Sequence, residues 1–340
     1  MNTYGYYRFA AVVPPVKVAD VEANVTALVK AAHEAAEQGA HVVLFPELCI
    51  TGYTCGDLFF QPWFQQAAVK GLLRFAKETI ESWDTVFIVS LPLAVGSRLF
   101  NVAAVVKAGG VLGLVPKSVL PNYREFYERR QFRPAEELTE TSVDLAVLNR
   151  DIPIGTDLLF ADDDGLCFGI EICEDLWSVL PPSSRMALKG ANVIFNPSAS
   201  TELAGKAGYR RSLVAQQSGT CLCGYVFASA GVGESTQDVV YGGHAIIADN
   251  GRVLAEGKRF SRDTEIVLAD MDVERFNALR MSESSFNDNK LPAEWKGQRV
   301  IEFGEFFHGC NLRHAQIFAR PFLPGPASAP ERCEDILNIQ

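Results

Sequence analysis

The 340-residue sequence lacks the features that would point to a membrane, a secretion route or a nucleic acid. It has no run of about 18 apolar residues, the length that a membrane-spanning helix needs. Its first residues, MNTYGYYRFAAVVPP, hold one arginine and a very short apolar stretch, unlike a signal peptide. Its 41 acidic and 31 basic residues give a net charge of −10, which argues against a nucleic acid or an anionic membrane as the main partner.

The sequence also lacks a Cys-x-x-Cys pair, although it contains eight cysteines. Several of them lie inside apolar runs such as LCFGIEIC and CLCGYVFASA, which is typical of buried free thiols in a reducing compartment. The segment FHGCNLRH groups His308, Cys310 and His314, but its spacing matches no common zinc pattern and it offers no clear fourth ligand. We therefore expect free thiols, no metal site and a cytoplasmic location.

The sequence does contain short apolar strands that alternate with helical stretches. Hydrophobic residues make up 48% of the chain, enough for a large core. Strands that are apolar on both faces, and hence covered on both sides, are predicted at 41–47, 86–92, 166–173, 191–198 and 222–229. Helices are predicted in DVEANVTALVKAAHEAAEQG, which opens at Asp20 and closes at Gly39, in PWFQQAAVKGLLRFAKETIES and in GKAGYRRSLVAQQSG. Two hairpins are predicted to turn at Gly109-Gly110 and Asn250-Gly251.

This order of elements indicates one α/β layered domain over residues 1–275. Beyond it the pattern loosens, because MSESSFNDNKLPAEWKGQRV is polar and RPFLPGPASAPERC is rich in proline. We therefore interpret residues 276–340 as a C-terminal extension or linker.

The stretch GIEICEDLW places Cys173 among three carboxylates, Glu171, Glu174 and Asp175. Negative charge around a thiol makes it harder to ionise and a poorer nucleophile. Cys173 is therefore either a buried bystander or a nucleophile that a cation from elsewhere in the chain makes useful.

Two other residues follow predicted strands in the same way as Cys173. Glu47 ends VVLFPEL and Lys117 ends GVLGLVPKS, and strand ends in α/β sheets are where functional groups are presented. Taken singly, Glu47 is a candidate helix-cap partner, Lys117 a surface lysine and Cys173 a core residue. Taken together they are chemically coherent, because a carboxylate can move the thiol proton to a leaving amine while an ammonium stabilises an oxyanion.

The segments FPEL, PKSVLPNYREFYERR and EICEDLW resemble, in order, the motifs of the Glu-Lys-Cys triad of the nitrilase superfamily. The resemblance covers residues 5 to 275. It implies an α/β fold with a four-layer αββα sandwich, and hydrolysis of a non-peptide C–N bond through a thioester.

Further segments, among them FPELCITGYTCGDLFFQ, GTDLLF, NPSAS and GVGESTQDVVYGG, resemble the N-terminal glutaminase domains of glutamine-dependent NAD synthetases. That resemblance implies that the chain hydrolyses glutamine and supplies ammonia, through a tunnel, to a C-terminal synthetase domain that makes NAD from deamido-NAD. The synthetase phosphate loop Ser-Gly-Gly-x-Asp-Ser is absent, so we expect the chain to be part of a longer protein. The glutaminase step would need no cofactor, and ATP and Mg would belong to the missing domain.

Two alternatives remain open at this point. One is a stand-alone nitrilase-type hydrolase, such as an omega-amidase or a carbamoylase. The other is a catalytically silent domain kept for assembly. Because nitrilase-like domains usually pair, the resemblance also implies a homo-oligomer.

The resemblance implies roles for individual residues. Glu47 is similar to the general base, Lys117 to the oxyanion stabiliser and Cys173 to the nucleophile. Glu125, in NYREF, is similar to a second glutamate that positions the lysine or the substrate. The backbone N–H of Glu174, directly after the nucleophile, would help to form the oxyanion hole.

The resemblance also implies a set of substrate-binding residues: Tyr123, Ser200, Lys206, Glu174, Tyr53 and Phe126. Of these, Tyr53 and Phe126 would wall the pocket. Lys206, or one of the nearby Arg210 and Arg211, would pair with the α-carboxylate of glutamine.

Overall fold

Two β-sheets pack face to face in the protein, and α-helices cover the outer face of each. The fold was obtained as a computed structural model, in which residues 3–146, 150–235, 239–292, 297–319, 323 and 328–340 are described. The strands are β1 (Tyr6–Val13), β2 (Val42–Leu44), β3 (Val86–Val95), β4 (Arg98–Lys107), β5 (Gly110–Pro116), β6 (Ser142–Val143), β7 (Ile152–Pro153), β8 (Leu158–Ala161), β9 (Cys167–Ile170), β10 (Val193–Ser198), β11 (Gly224–Ser229), β12 (Ala245–Asp249), β13 (Arg252–Glu256), β14 (Glu265–Asp272) and β15 (Arg299–Glu302). The helices are α1 (Val21–Glu37), α2 (Pro62–Glu78), α3 (Pro182–Leu188), α4 (Lys206–Thr220), α5 (Glu274–Ser282), α6 (Ser284–Asn287) and α7 (Ala329–Ile339).

The layers follow from the way each strand divides its side chains between two cores. One sheet has the order β14-β1-β2-β3-β4-β5 and the other the order β13-β12-β11-β10-β9-β8-β15. Along β1, Phe9 and Ala11 enter the core between the sheets, whereas Ala10 and Val12 face the core that holds α1 and α2. A third core lies between the second sheet and the segment α3 to α4. These layers confirm the predicted four-layer αββα sandwich, and they explain why the strands are apolar on both faces.

Local signals set the helix ends and one hairpin as the sequence predicts. The Asp20 side chain accepts a hydrogen bond of 3.1 Å from Ala23 N at the start of α1, and Gly39 follows the helix with φ 79°. Asn250 and Gly251 form the turn between β12 and β13 with φ 43° and 86°, the positive values of a type I′ turn.

The other hairpin turns one residue earlier than predicted. Gly110 already pairs with Lys107 in the ladder between β4 and β5. The two turn residues are therefore Ala108 and Gly109, with φ 49° and 82°. The prediction of Gly109-Gly110 is wrong by one position, because Gly110 is the first residue of β5.

Two predicted strands end before the residues of chemical interest. β2 stops at Leu44 and β9 at Ile170, so that Glu47 and Cys173 both lie three residues beyond the ladder. Residues that leave a sheet are free to turn their side chains toward the neighbouring sheet, and Glu47 N donates to Ser198 O at the end of β10 across that boundary. The strand ends of both sheets therefore meet at one edge.

Residues beyond 275 contribute to the domain itself. The predicted boundary at 275 falls inside α5, and β15 pairs in parallel with β8 at the edge of the second sheet. Phe306 is 3% exposed and enters the core between the sheets. The described part of the extension therefore completes the sandwich, while much of the proline-rich segment, 320–322 and 324–327, lies outside the described residues.

All eight cysteines are free thiols, as predicted, and of these Cys333 is exposed. His308 of the FHGCNLRH segment is bound to Asp84, with 2.5 Å between Nδ1 and Oδ2. Among the described residues, no group of three or more His, Cys, Asp and Glu side chains is arranged to hold a metal ion. Over the same residues, no helix has both the length and the apolar character needed to cross a bilayer.

Candidate active site

Glu47, Lys117 and Cys173 come together where the strand ends of the two sheets meet. Glu47 follows β2, Lys117 directly follows β5, and Cys173 follows β9. All three are almost completely buried, with exposed fractions of 1%, 1% and 5%. The predicted triad therefore lies inside the protein, where charge interactions are stronger than in water.

The Lys117 ammonium lies between two carboxylates. Its Nζ is 2.7 Å from Glu47 Oε1, and 2.7 and 2.9 Å from the two oxygens of Glu128. These contacts raise the pKa of Lys117 well above its ordinary value even though burial acts in the opposite direction. Lys117 is therefore a fixed positive charge at neutral pH.

The second carboxylate on the lysine is Glu128, whereas the sequence pointed to Glu125. Glu125 is half-buried and its Oε1 accepts a 3.3 Å hydrogen bond from Thr201 Oγ1, away from Lys117. Glu128 opens a short 3₁₀ turn three residues later and is 5% exposed. The lysine-positioning role predicted for Glu125 is corrected to Glu128, because the irregular loop turns the later glutamate inward.

Glu47 has one oxygen that is held and one that is not. Its Oε1 accepts from Lys117 and also from Asn101 Nδ2, at 2.7 Å each. Its Oε2 is buried and lacks a hydrogen-bond partner among the described residues. A buried carboxylate oxygen without a partner is costly, and it is suited to accept a proton from a reacting group.

Cys173 lies on a tight, strained turn. Its φ is 47°, in the left-handed region that residues other than glycine rarely adopt, and it begins the 3₁₀ turn Cys173–Trp177. Its backbone N–H donates to Asn196 Oδ1 at 3.0 Å, and this N–H group is therefore not available to bind an oxyanion. The next amide, of Glu174, is one of the first N–H groups of the turn and has no carbonyl partner within it, as an oxyanion hole requires.

The pKa of the Cys173 thiol is raised above its ordinary value, in the direction that the sequence predicts, but the main cause differs from the predicted one. Burial raises its pKa most, the carboxylates of Glu47 and Glu128 raise it further, and Lys117 acts against them. The sequence neighbours were expected to be the source of this shift. The charges that act on the thiol instead come from residues distant in sequence.

The three acidic neighbours of Cys173 have separate partners. Glu171 accepts from Ser183 N at 2.7 Å and from Tyr225 Oη at 2.5 Å. Glu174 accepts from Tyr123 Oη at 2.8 Å. Asp175 is directed toward the backbone beside Lys117, where Val119 N donates to it at 2.7 Å. The hydrogen bonds of these three carboxylates therefore hold the chain around the thiol in place.

A cleft of about 270 Å³ opens beside Cys173. It is lined by Pro121, Tyr123, Arg124, Glu125, Phe126, Cys173, Glu174, Trp177, Ser200, Leu203, Lys206 and Tyr209. The cleft therefore contains Tyr123, Glu174, Ser200, Lys206 and Phe126 of the predicted substrate-binding set. Charged groups of both signs reach it, as a small zwitterion requires.

Tyr53 is the one predicted substrate-binding residue that is absent from the lining of this cleft. Its hydroxyl donates to Glu128 Oε1 at 2.5 Å, and its ring packs on Tyr241. It lines a smaller, neighbouring cavity together with Phe126 and Glu128. Tyr53 therefore supports Glu128, and its role as a wall of the substrate pocket stays a prediction. Residues 236–238 of the quoted segment GVGESTQDVVYGG lie outside the described residues.

Lys206 is the cation of the helix α4 that reaches the cleft. Its Nζ donates to Thr201 Oγ1 at 3.1 Å and lies 5.4 Å from the centre of the Trp177 ring. Burial lowers its pKa, and nearby Arg210 adds to that shift. A partly desolvated ammonium of this kind gains by pairing with an anion.

The two arginines considered beside Lys206 are engaged elsewhere. Arg210 is completely buried and donates to Ser200 Oγ, Glu202 Oε1, His244 Nδ1 and Thr201 O at 3.3, 2.9, 3.0 and 3.0 Å. Arg211 is exposed and pairs with Glu256. Of the three predicted cations, Lys206 is the one at the cleft, and Arg210 holds the loop that carries Ser200.

Sequence reasoning missed three polar residues that hold the site, namely Asn101, Glu128 and Asn196. Asn101 and Asn196 interrupt apolar strands, in RLFNVAAVVK and ANVIFNPS. A buried amide within a strand needs partners, and that was the available signal. Glu128 had no comparable signal, because five of the eight residues of YREFYERR are charged and two of them are glutamates.

Comparisons with known proteins agree with this geometry. The carbon-nitrogen hydrolase family model matches residues 8–281. The chain is 39% identical over 345 residues to a glutamine-dependent NAD(+) synthetase of Mycobacterium tuberculosis, a match covering 99% of this chain and 50% of the relative. The chain is 36% identical to the glutamine-dependent NAD(+) synthetase of Mycobacterium leprae, a match covering 100% of this chain and 50% of that relative. The crystal structure of a glutamine-dependent NAD(+) synthetase from Cytophaga hutchinsonii has a TM-score of 0.70 and 29% identity, covering 78% of this chain and 43% of that one.

The chain thus spans about half the length of the curated relatives it matches. Most of it is covered by one family model, and its fold places a cysteine, a lysine and a glutamate at one edge of two sheets. The chain belongs to the carbon-nitrogen hydrolase family and is an enzyme of that kind.

Proposed function

We propose that this chain is a glutaminase, which hydrolyses the side-chain amide of glutamine to glutamate and ammonia. The observation that carries the proposal is the buried group in which the Lys117 ammonium bridges Glu47 and Glu128 beside the Cys173 thiol. This group lies at a cleft whose charged residues suit an amino acid.

In the first half of the reaction, Cys173 Sγ attacks the amide carbon of glutamine. The thiol proton passes to Glu47, whose Oε2 is free to receive it. The C=O π bond breaks and its electron pair moves to oxygen, which gives a tetrahedral oxyanion that the Lys117 ammonium and the Glu174 N–H stabilise. Glu47 then returns its proton to the nitrogen, the C–N bond breaks, and ammonia leaves a thioester on Cys173.

In the second half of the reaction, water replaces ammonia. Glu47, again ionised, takes a proton from the water as its oxygen attacks the thioester carbon. The C–S bond breaks, the thiolate of Cys173 recovers the proton, and glutamate leaves. One carboxylate therefore acts as base and acid in turn, and Lys117 keeps its charge throughout.

Glutamine fits the charges of the cleft. The partly desolvated Lys206 would pair with its α-carboxylate, with Arg124 as a second cation at the mouth. Glu174 and Glu125 would accept from its α-ammonium. Burial raises the pKa of Glu174, a shift that an approaching ammonium would oppose.

We further propose that this chain works as the ammonia-supplying part of a longer protein that makes NAD from deamido-NAD. The support is the 39% identity with glutamine-dependent NAD(+) synthetase and the half of that relative left unmatched. The synthetase step would use ATP and Mg in that other part, while the glutaminase step uses no cofactor. We also propose that the protein forms a homo-oligomer and is located in the cytoplasm.

The test is glutamine hydrolysis by this chain, followed as glutamate and ammonia release, with Cys173→Ala as the blank. Asparagine and a simple omega-amide are assayed beside glutamine. We expect glutamine to be hydrolysed in preference, and activity to disappear in Cys173→Ala, because the thioester cannot form without the thiol.

Other outcomes separate the alternatives. Turnover of the omega-amide with glutamine ignored would contradict the proposal and indicate a stand-alone amidase. If nothing is hydrolysed, the assay is repeated with the synthetase half of a relative added. Activity that then appears would support an ammonia-supplying domain, and continued inactivity would favour an assembly role.

A further inference from the structure

The Asp175 side chain links two backbone segments, here called arms: the segment that follows Lys117 and the segment that carries Cys173. It is 1% exposed and lies two residues after Cys173 on the same 3₁₀ turn. Its Oδ1 accepts from Ser118 N at 3.1 Å and from Val119 N at 2.7 Å, the two amides that follow Lys117. Its Oδ2 accepts from Ile172 N at 2.8 Å, the amide that precedes Cys173.

These contacts cross from one sheet to the other. Lys117 belongs to the end of β5 in the first sheet, and Cys173 to the end of β9 in the second. Lys117 is also held on its own sheet, where its N–H donates to Asn101 O at 2.9 Å. Asp175 is thus the carboxylate through which the cysteine turn is hydrogen-bonded to the chain beside the lysine.

We propose that Asp175 is a positioning residue, which sets the separation of the Lys117 ammonium from the Cys173 thiol by binding the backbone on both sides. The proposal rests on the glutaminase mechanism proposed above for its effect on rate. An oxyanion formed at Cys173 must lie within hydrogen-bonding distance of Lys117, and a displacement of about 1 Å can cost about 100-fold in rate. Asp175 itself touches neither the substrate nor the reacting atoms.

The two oxygens of Asp175 make the replacement by asparagine informative. Oδ1 accepts the short hydrogen bonds from the arm after Lys117, whereas Oδ2 accepts the short one from Ile172 N and has only a 3.5 Å contact with Ser118 N. Each arm offers N–H donors only. In Asp175→Asn the amide has one oxygen and one NH₂ group, so one arm must face a donor whichever way the amide lies. The substitution therefore keeps the shape of the side chain and breaks the connection to one side.

A matched control exists elsewhere in the chain. Asp162 is also a buried carboxylate, and its Oδ1 accepts from Asp164 N, Gly165 N and Leu166 N at 3.0, 2.8 and 2.7 Å. It holds the turn between β8 and β9 and does not line the cleft. Asp162→Asn thus perturbs a buried carboxylate that binds backbone amides, but this carboxylate does not link the two arms.

The experiment compares the wild-type chain, Asp175→Asn and Asp162→Asn at a temperature where all are folded. Glutamine turnover is expressed per reactive Cys173, counted by mass spectrometry of its alkylated peptide. We expect Asp175→Asn to lower kcat about 100-fold with KM changed by less than about threefold, and Asp162→Asn to leave kcat unchanged. Hydrogen exchange should be faster in Asp175→Asn alone, either at the amides of Ser118 and Val119 or at that of Ile172, according to which arm faces the new amide NH₂.

A kcat within about threefold of wild type in folded Asp175→Asn, or an equal loss in Asp162→Asn, would overturn the proposal. If Asp175→Asn does not fold, Asp175→Ser replaces it, because a hydroxyl accepts from one arm without placing an amide donor against the other. If the wild-type chain hydrolyses no glutamine, either alone or with the synthetase half of a relative added, the proposed function fails, and hydrogen exchange still decides the positioning role. Unchanged exchange at the three amides would then rule that role out.

Discussion

At the scale of the residue, the protein stabilises a lysine by placing it between two buried glutamates. Lys117 is almost completely inside the molecule, and Glu47 and Glu128 are equally enclosed. Two carboxylates near one ammonium leave an excess of negative charge, which is costly where water is excluded. The excess makes one of the two carboxylates easier to protonate, and the pKa of Glu128 is the one that is raised.

The proton on Glu128 makes a prediction for the pH dependence of stability. Burial raises the pKa of Glu128 from 4.5 to about 7, with Lys117 opposing and Glu47 adding to the shift. The folded protein therefore binds this proton more tightly than the unfolded chain does. The resulting stabilisation is fully present below about pH 4.5, and it is lost as the pH rises through about 7.

We expect Glu128→Gln to lack this dependence. The free energy of unfolding of wild type, minus that of the variant, should fall as the pH rises from about 4.5 to about 7, by at most about 3 kcal/mol. Urea denaturation of both proteins at several pH values measures it, with equal m-values as the check that both lose the same structure. A difference that stays constant over this range would contradict the assigned pKa.

At the scale of the element, packing decides whether a substitution in a helix stabilises or destabilises. Gly71 in α2 faces α1, and a Cβ added there would lie 2.8 Å from Val21 Cγ1 and 3.1 Å from Ile50 Cγ2. Gly208 in α4 is exposed, and a Cβ there would meet nothing within 4 Å. The two glycines thus have the same secondary structure and opposite surroundings.

We expect Gly71→Ala to destabilise the protein by about 1–3 kcal/mol, because the methyl group overpacks the contact between α1 and α2. Gly208→Ala should stabilise it by about 0.5–1 kcal/mol, because alanine is the better helix former and space is open. Thermal or urea unfolding of the two variants tests both signs. A stabilising Gly71→Ala would mean that α1 and α2 are further apart than described.

The start of α1 and one tight turn were readily predicted from the sequence, whereas the predicted strands 41–47 and 166–173 extend three residues past the ends of β2 and β9. The N-cap Asp20 and the turn at Asn250-Gly251 depend on a few adjacent residues, and both are observed. The hairpin after β4 was misplaced by one residue, because two adjacent glycines allow either register and only pairing with β4 selects one.

At the scale of the whole molecule, the segment after residue 275 adds a strand to the second sheet and buried side chains to the core between the sheets. β15 completes the edge of the second sheet, and Phe306 packs against Tyr7 and His41 at centroid distances of 6.1 and 5.0 Å. The segment, most of which is polar and loosely patterned, therefore contributes two buried aromatics, Phe276 and Phe306, to the main core.

We expect Phe306→Ala to destabilise the domain by about 3–5 kcal/mol, the cost typical of removing a buried phenylalanine. Phe307 is the matched control, because it is 68% exposed and contacts Trp83 at the surface. Phe307→Ala should cost less than about 1 kcal/mol. Urea unfolding compares the two, and equal, small losses would show that the extension is dispensable to the core.

The sequence by itself determined the layered α/β class and most element positions, and it predicted that Glu47, Lys117 and Cys173 would lie together, although their catalytic roles stay a proposal. Periodicity, helix caps and turn residues act over a few positions, so they can be read without knowing the rest of the fold. The motifs around the triad are likewise continuous stretches, and each of the three residues follows a strand.

Only the tertiary structure decided which groups surround that triad. Glu128, and not Glu125, contacts the lysine because an irregular loop has no period from which the inward-facing residue could be deduced. The pKa of Cys173 is set by burial and by carboxylates brought from distant parts of the chain, not by its acidic neighbours. Burial and charge depend on what packs around a group in space, and sequence spacing does not contain that information.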